Sequence, residues 1–197
     1  MGEIILTASQ LATFEFARGC GLKTPSATDI ERTLEDLRQA QGTALIIGGM
    51  AVIRYGYERL TKDIDILYAH ADGNILNRLD ACFKIVLKAV NGWHHLEHRQ
   101  TGVRLELIPE GGLTTYGFIP GPQTVGGADG FISLFGLVWL KLVSGRAKDD
   151  ADIVEIAKQN MVTVADLRDK FHPELQDRFD AVIVRAKKEI ENNPNRE

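Results

Sequence analysis

Two short segments constrain this chain more than anything else in it. Asp63-Ile64-Asp65-Ile66-Leu67-Tyr68 and Val103-Arg104-Leu105-Glu106-Leu107-Ile108 alternate charged with aliphatic residues. A period of two belongs to a strand that buries one face and leaves the other free to carry charge. A third apolar run, Thr43-Ala44-Leu45-Ile46-Ile47, reads as a buried strand ending at Gly48-Gly49. Strands therefore cluster between residues 43 and 108.

Around them the periodicity is helical. Helices are expected over 7–18 and over 26–41, where Ile30, Leu34 and Leu37 recur and Gly42 is a stop signal. They are also expected over 50–57 and over 74–90, with Ile75, Leu79, Phe83 and Val86 on one stripe. Residues 131–144, 149–159, 164–170 and 174–192 continue the helical pattern. The stretch 93–100 gives no clear signal. Residues 109–130, rich in proline and glycine, read as a loop or an interdomain connection. The expected fold is α/β (α+β), a small mixed sheet with flanking helices and a helical C-terminal portion. Residues 1–42 are expected to pack on a core at 43–110, followed by a connecting loop at 111–130 and the helical portion at 131–197.

A chain of 197 residues can bury a real core without structural metals or disulfides. Cys20 and Cys82 make no disulfide framework, and both are expected reduced. The segment beginning Met1-Gly2-Glu3 lacks the pattern of a secretory signal, and the apolar run Phe131 to Gly145 contains Lys141 and is short of a membrane span. A cytoplasmic protein is expected. A net charge of −4 argues against bulk adhesion to nucleic acid by charge alone.

The chemistry centres on the acids. Residues i and i+2 of a strand share a face, so Asp63 and Asp65 point the same way, roughly 6–7 Å apart. Two such carboxylates either face water from an edge strand or share a hard cation such as magnesium or manganese. Glu106 and Arg104 share the polar face of their own strand. If the two strands are neighbours, a third carboxylate joins the first two; otherwise Glu106 serves a surface salt bridge with Arg104 or Arg99. Gly48-Gly49 is either an ordinary tight turn or a place where backbone approaches a phosphate.

Lys141 lies alone on a broad apolar face made by Phe131, Leu134, Phe135, Val138, Trp139 and Leu142. It either snorkels to water or meets an anion. Arg146 and Lys148 follow and could join it at phosphates. Asp149, Asp150 and Asp152 read as acids serving a helix start, not as catalytic groups. His94, His95 and His98 lack a familiar zinc-ligand spacing. Trp93 and Trp139 are expected in the core.

Gly48-Gly49-Met50-Ala51-Val52, Tyr55-Gly56 and Arg59-Leu60-Thr61-Lys62-Asp63-Ile64-Asp65-Ile66 together resemble the nucleotidyltransferase superfamily with the DNA polymerase beta-like fold. Within it, Lys141, Arg146, Lys148, Asp149 and Asp152 are similar to the later motifs of the abortive-infection, type IV toxin branch. The resemblance covers residues 43 to about 158. It implies that 43–110 is the catalytic core and that Asp63, Asp65 and Glu106 are the catalytic carboxylates and ligands of Mg2+ or Mn2+. It implies nucleotide contacts from Gly48, Gly49, Arg59, Thr61, Lys141, Arg146 and Lys148. Glu106 stands where that family more often has Asp and is longer by one methylene.

The expected activity is transfer of a nucleoside monophosphate from an NTP to a hydroxyl on an RNA end, a protein or a small molecule. The resemblance further implies a toxin acting on tRNA or protein, with an antitoxin partner. The alternatives are a nucleotide-binding pseudoenzyme that regulates a partner and a metal-dependent glycosyltransferase. The latter leaves Gly48-Gly49 and Glu106 without a role.

Overall fold

The computed structural model describes residues 26–39, 44–59, 61, 63–69, 74–89, 92–127 and 130–192. The helix expected over 7–18 lies outside them, as do Gly42 and Cys20. Among the described residues the chain is mixed α/β, with eight α-helices, a five-stranded sheet and a small two-stranded one. The five strands are β1 (Ala44–Ile46), β2 (Asp63–Tyr68), β3 (Phe83–Lys88), β4 (His94–His98) and β5 (Arg104–Pro109). Their order across the sheet is β1-β2-β5-β4-β3. β2 and β5 run parallel at the centre, and the other pairs are antiparallel.

The central pair is parallel because β3, β4 and β5 form a meander that returns to lie beside β2. Its inner face is fully apolar: Ile64, Ile66, Leu105 and Leu107 are buried, as parallel strands require. Helix α1 (Ala27–Gln39) contributes Ile30, Leu34 and Leu37 to the same core. His98 ties α1 to the sheet, with Nε2 2.9 Å from Asp36 Oδ2 and Nδ1 2.7 Å from Thr101 Oγ1. Helix α2 (Gly48–Arg54) follows β1 directly and is buried along Gly49 to Ile53.

One expected helix is largely a strand. Over 74–90 the helix α3 spans only Ile75–Leu79, and β3 begins at Phe83. Ile75, Leu79 and Phe83 are buried as the stripe required, but Val86 is 58% exposed. A spacing of four cannot reveal that the chain turns at Asp80 to Cys82, so that Phe83 enters the core from a strand. The consecutive Ile85-Val86-Leu87 suits an extended backbone and pairs with β4, with an irregularity between Ile85 and Leu87. The unassigned stretch 93–100 is β4. Trp93, expected in the core, is 39% exposed.

The proline- and glycine-rich stretch has structure of its own: the hairpin β6 (Leu113–Thr114) and β7 (Gly117–Phe118), then the short helix α4 (Pro122–Val125). It also fastens the helical portion to the sheet. Ile46 donates from its amide to Gly130 O, and Ile132 donates back to Ile46 O.

Beyond it lie α5 (Leu134–Ser144), α6 (Ala147–Gln159), α7 (Met161–Ala165), a 3-10 turn at Arg168–Lys170 and α8 (Pro173–Glu191). Ser133 caps α5 by accepting from the Gly136 amide, and Gly145, at φ 71°, ends it in the left-handed region. Two residues later α6 begins, so the two helices meet at a tight corner. The Tyr55 hydroxyl donates to Ile132 O, and Asn160 donates to Tyr55 O, which locks α2 against the helical portion. No helix among the described residues is long and apolar enough to cross a membrane.

Candidate active site

The parallel register sets Asp65 opposite Glu106 and Asp63 opposite Arg104. Register partners on adjacent strands project to the same face. Asp63, Asp65 and Glu106 therefore stand on one face of the sheet, opposite to buried Ile64, Ile66, Leu105 and Leu107. The condition left open by the sequence, adjacency of the two strands, is met.

Asp65 is the pivot of this face. Burial pushes its carboxyl up, and the Glu106 charge beside it pushes it further, to about 6. A hydrogen bond from the Gly49 amide opposes the rise; Asp63 adds to it, and Lys141 lowers it slightly. The turn that leads from β1 into α2 is shaped around this carboxylate. Gly48 has φ 60°, and a Cβ there would overlap Asp65 Oδ2. A Cβ on Gly49 would lie 2.6 Å from Thr61 Oγ1 and 3.1 Å from Arg59 Nη2. Only glycine admits both the left-handed backbone and the close approach. Gly48, Gly49, Arg59, Thr61 and Asp65 thus meet at one spot. Thr61 is held there by its own hydroxyl, which donates to Asp63 O at 3.0 Å.

Lys141 is buried, with 6% of its side chain exposed, and it does meet an anion. The anions are the protein's own. Its Nζ is 2.8 Å from Asp149 Oδ1 and 2.5 Å from Asp152 Oδ2. Asp149 also accepts from Ser144 Oγ and Arg146 Nε, each at 2.6 Å. Burial alone would raise the Asp149 carboxyl, but the Lys141 charge and the hydrogen bonds from Lys141, Ser144 and Arg146 hold it down at about 2. Asp149 and Asp150 do sit in the first turn of α6. Asp150 is bound by Arg178, with Nη2 2.7 Å from Oδ1. Asp149 and Asp152, however, serve Lys141 and not the helix start alone.

Asp152 reaches further. Its Oδ1 lies 3.2 Å from Arg59 Nε. That nitrogen is buried and makes no hydrogen bond of good geometry. Arg59 therefore bridges the Gly48-Gly49 turn and helix α6. Arg146 is mostly exposed, with its guanidinium on Asp149, and Lys148 is exposed at the start of α6.

Sequence reasoning also missed His95. It pairs in register with Glu106, and its Nδ1 lies 3.5 Å from Glu106 Oε1. The three histidines divide by strand alternation: His94 and His98 turn inward and are buried, while His95 shares the acidic face. That alternation was available in His94-His95-Leu96-Glu97-His98 once a strand was assumed.

Among the described residues no three His, Cys, Asp or Glu side chains are gathered closely enough to hold an ion as they stand. The donor set nevertheless suits a hard divalent cation. It consists of carboxylate oxygens on one face, and Glu106 and Asp63 both raise Asp65, a repulsion that a cation relieves. A comparison with protein-family models and with curated proteins finds no match for the chain.

Proposed function

We propose that this protein is a metal-dependent nucleotidyltransferase, with Asp63, Asp65 and Glu106 as the residues that hold Mg2+ or Mn2+. The observation that carries the reading is Asp65: a half-buried, desolvated carboxylate, set against a glycine turn, raised to about 6 with two further acids on its face. An acid in a surface salt bridge keeps an ordinary or lowered pKa; a desolvated, mutually repelling group is characteristic of functional sites. A divalent cation, when bound, supplies neutralisation of the triphosphate and activation of an attacking hydroxyl.

The chain's own residues divide the remaining work. Without side chains, Gly48 and Gly49 let the Asp65 carboxylate, the Thr61 hydroxyl and the Arg59 guanidinium close onto the turn; Thr61 is held on Asp63 O, and Arg59 is the donor beside Gly49 that meets phosphate. Glu106 keeps 29% of its side chain exposed and takes the proton of the incoming hydroxyl. The acceptor oxygen bonds to the α-phosphorus, the bond to the bridging β-oxygen breaks, and pyrophosphate leaves. The sequence resemblance extends the proposal to a tRNA or protein acceptor and to a toxin held in check by an antitoxin.

The test is incubation with each labelled NTP, magnesium, and total cell RNA or protein, with Asp65→Ala as the control. Label in either fraction, absent with Asp65→Ala, supports the reading and identifies the acceptor class. Nucleotide binding without transfer makes the chain a nucleotide-binding regulator, and the absence of both rejects the reading.

A further inference from the structure

Lys141, Asp149 and Asp152 form a continuous buried chain of charges that ends on Arg59. Asp149 Oδ1 holds Lys141 Nζ, Lys141 Nζ holds Asp152 Oδ2, and Asp152 Oδ1 faces Arg59 Nε. The two oxygens of Asp152 are thus divided between Lys141 and Arg59, so Lys141 fixes the orientation of the carboxylate that faces Arg59. We propose that Lys141, Asp149 and Asp152 are positioning residues that set the Arg59 guanidinium beside the Gly48-Gly49 turn, and that Arg59, not Lys141, is the cation that meets the phosphates of the nucleotide. The second half rests on the nucleotidyltransferase reading.

Lys141 is poorly placed to bind phosphate itself. A single positive charge already lies between two carboxylates, each almost fully buried. With only 6% of its side chain exposed, it would have to give up one of these buried ion pairs to reach outward to a nucleotide, which is unfavourable. Arg59 is differently placed. Its ion partner among the described residues is Asp152, it is 27% exposed, and its Nη2 lies against Gly49. A guanidinium carries five donors in a planar fork suited to phosphate oxygens.

The buried chain is also a poor device for stability, since an apolar replacement of buried ion pairs is often no worse. Its geometry makes better sense as a brace. The left-handed Gly145 folds α6 back so that Asp149 and Asp152, three residues apart on one helix face, both reach Lys141 in the last turn of α5. The helical portion thereby sets the angle of a side chain from the connection between α2 and β2.

Two measurements on the full chain test this. The first is 15N relaxation at Arg59 Nε, which reports order without reference to any activity. Arg59 Nε is expected to be rigid in the wild type and to loosen in both Asp152→Asn and Lys141→Met. The former keeps the Lys141–Asp149 pair and so serves if Lys141→Met fails to fold. The second is calorimetric affinity for the magnesium complexes of ATP, CTP, GTP and UTP. Arg59→Ala should weaken binding about tenfold or more, and adding Asp152→Asn to it should weaken binding no further.

Unchanged order at Arg59 in Asp152→Asn overturns the positioning role. Losses that multiply in the double variant, or a loss in Lys141→Met with Arg59 still rigid, show that the relay residues touch the nucleotide directly and overturn the proposal. If Arg59 loosens as expected but the wild type binds none of the four nucleotides, the brace stands and the nucleotidyltransferase reading falls.

Discussion

Two desolvated carboxylates, half-buried Asp65 and buried Asp149, behave in opposite ways. Asp65, on the central sheet, is pushed up to about 6, and Asp149, on α6, is held down at about 2. Both are desolvated, so burial is not the difference. Asp149 has Lys141, Arg146 and the Ser144 hydroxyl around it. Asp65 has two further acids, one backbone amide, and Lys141 only as a weak and distant influence. The fold surrounds one acid with positive charge and leaves the other beside like charges. Under the proposed function, that contrast separates scaffold from site more clearly than the acidity of either region.

The comparison breaks first at activity. Asp65→Asn should reduce nucleotide transfer by on the order of a thousandfold, the scale of losing a central electrostatic group, measured with labelled NTP. Glu106→Gln should lower turnover more than nucleotide affinity, since its part is greatest in the transition state. If either substitution on the sheet is harmless, the acidic face is only surface.

Next comes stability. Lys141→Met removes the cation that buried Asp149 and Asp152 share, leaving each only its arginine, and should destabilise the protein by roughly 3 kcal/mol in urea unfolding. Asp65→Asn should act in the other direction. In metal-free protein at pH 8 it removes a desolvated, repelled charge and should stabilise by about 1–3 kcal/mol, at the cost of function. Equal signs for the two variants would erase the distinction between the regions.

The pH dependence sharpens the same contrast with smaller effects. The folded pKa of Asp65 lies above its unfolded value, so its favourable contribution is complete below about pH 4 and is lost as the pH rises through about 6. Asp149 is the reverse: its roughly 2 kcal/mol is present above about pH 4 and is lost as the pH falls through about 2. Thermal unfolding of metal-free wild type between pH 4 and 7 should therefore show a downward component that Asp65→Asn lacks. The same slope in both proteins would place the shift elsewhere.

Much of the site side was legible in the residues. The period of two in Asp63 to Ile66 and in Arg104 to Ile108 fixes which side chains share a face; at Leu67 and Tyr68 both faces of β2 are buried and the alternation ends. The pairing of those strands is a long-range fact that depends on the intervening meander. That meander was hidden because Ile75, Leu79 and Phe83 are core residues under either a helical or a strand assignment. The partners of Lys141 lay eight and eleven residues downstream. A helix start explained Asp149 and Asp152 too easily, and only the corner at Gly145 brings them onto the lysine. Arg59 to Asp152 spans the whole domain, beyond any local pattern. His95 beside Glu106 needed β4 to be recognised first.

The acidic face of β2 and β5 is proposed to receive a divalent cation. Manganese binding, followed by the loss of its free electron-paramagnetic-resonance signal, tests it directly in the wild type and in the Asp63→Asn/Asp65→Asn double variant. Saturable manganese binding is expected in the wild type, and its loss in a double variant that remains folded. Equal manganese affinity in the two proteins would contradict it.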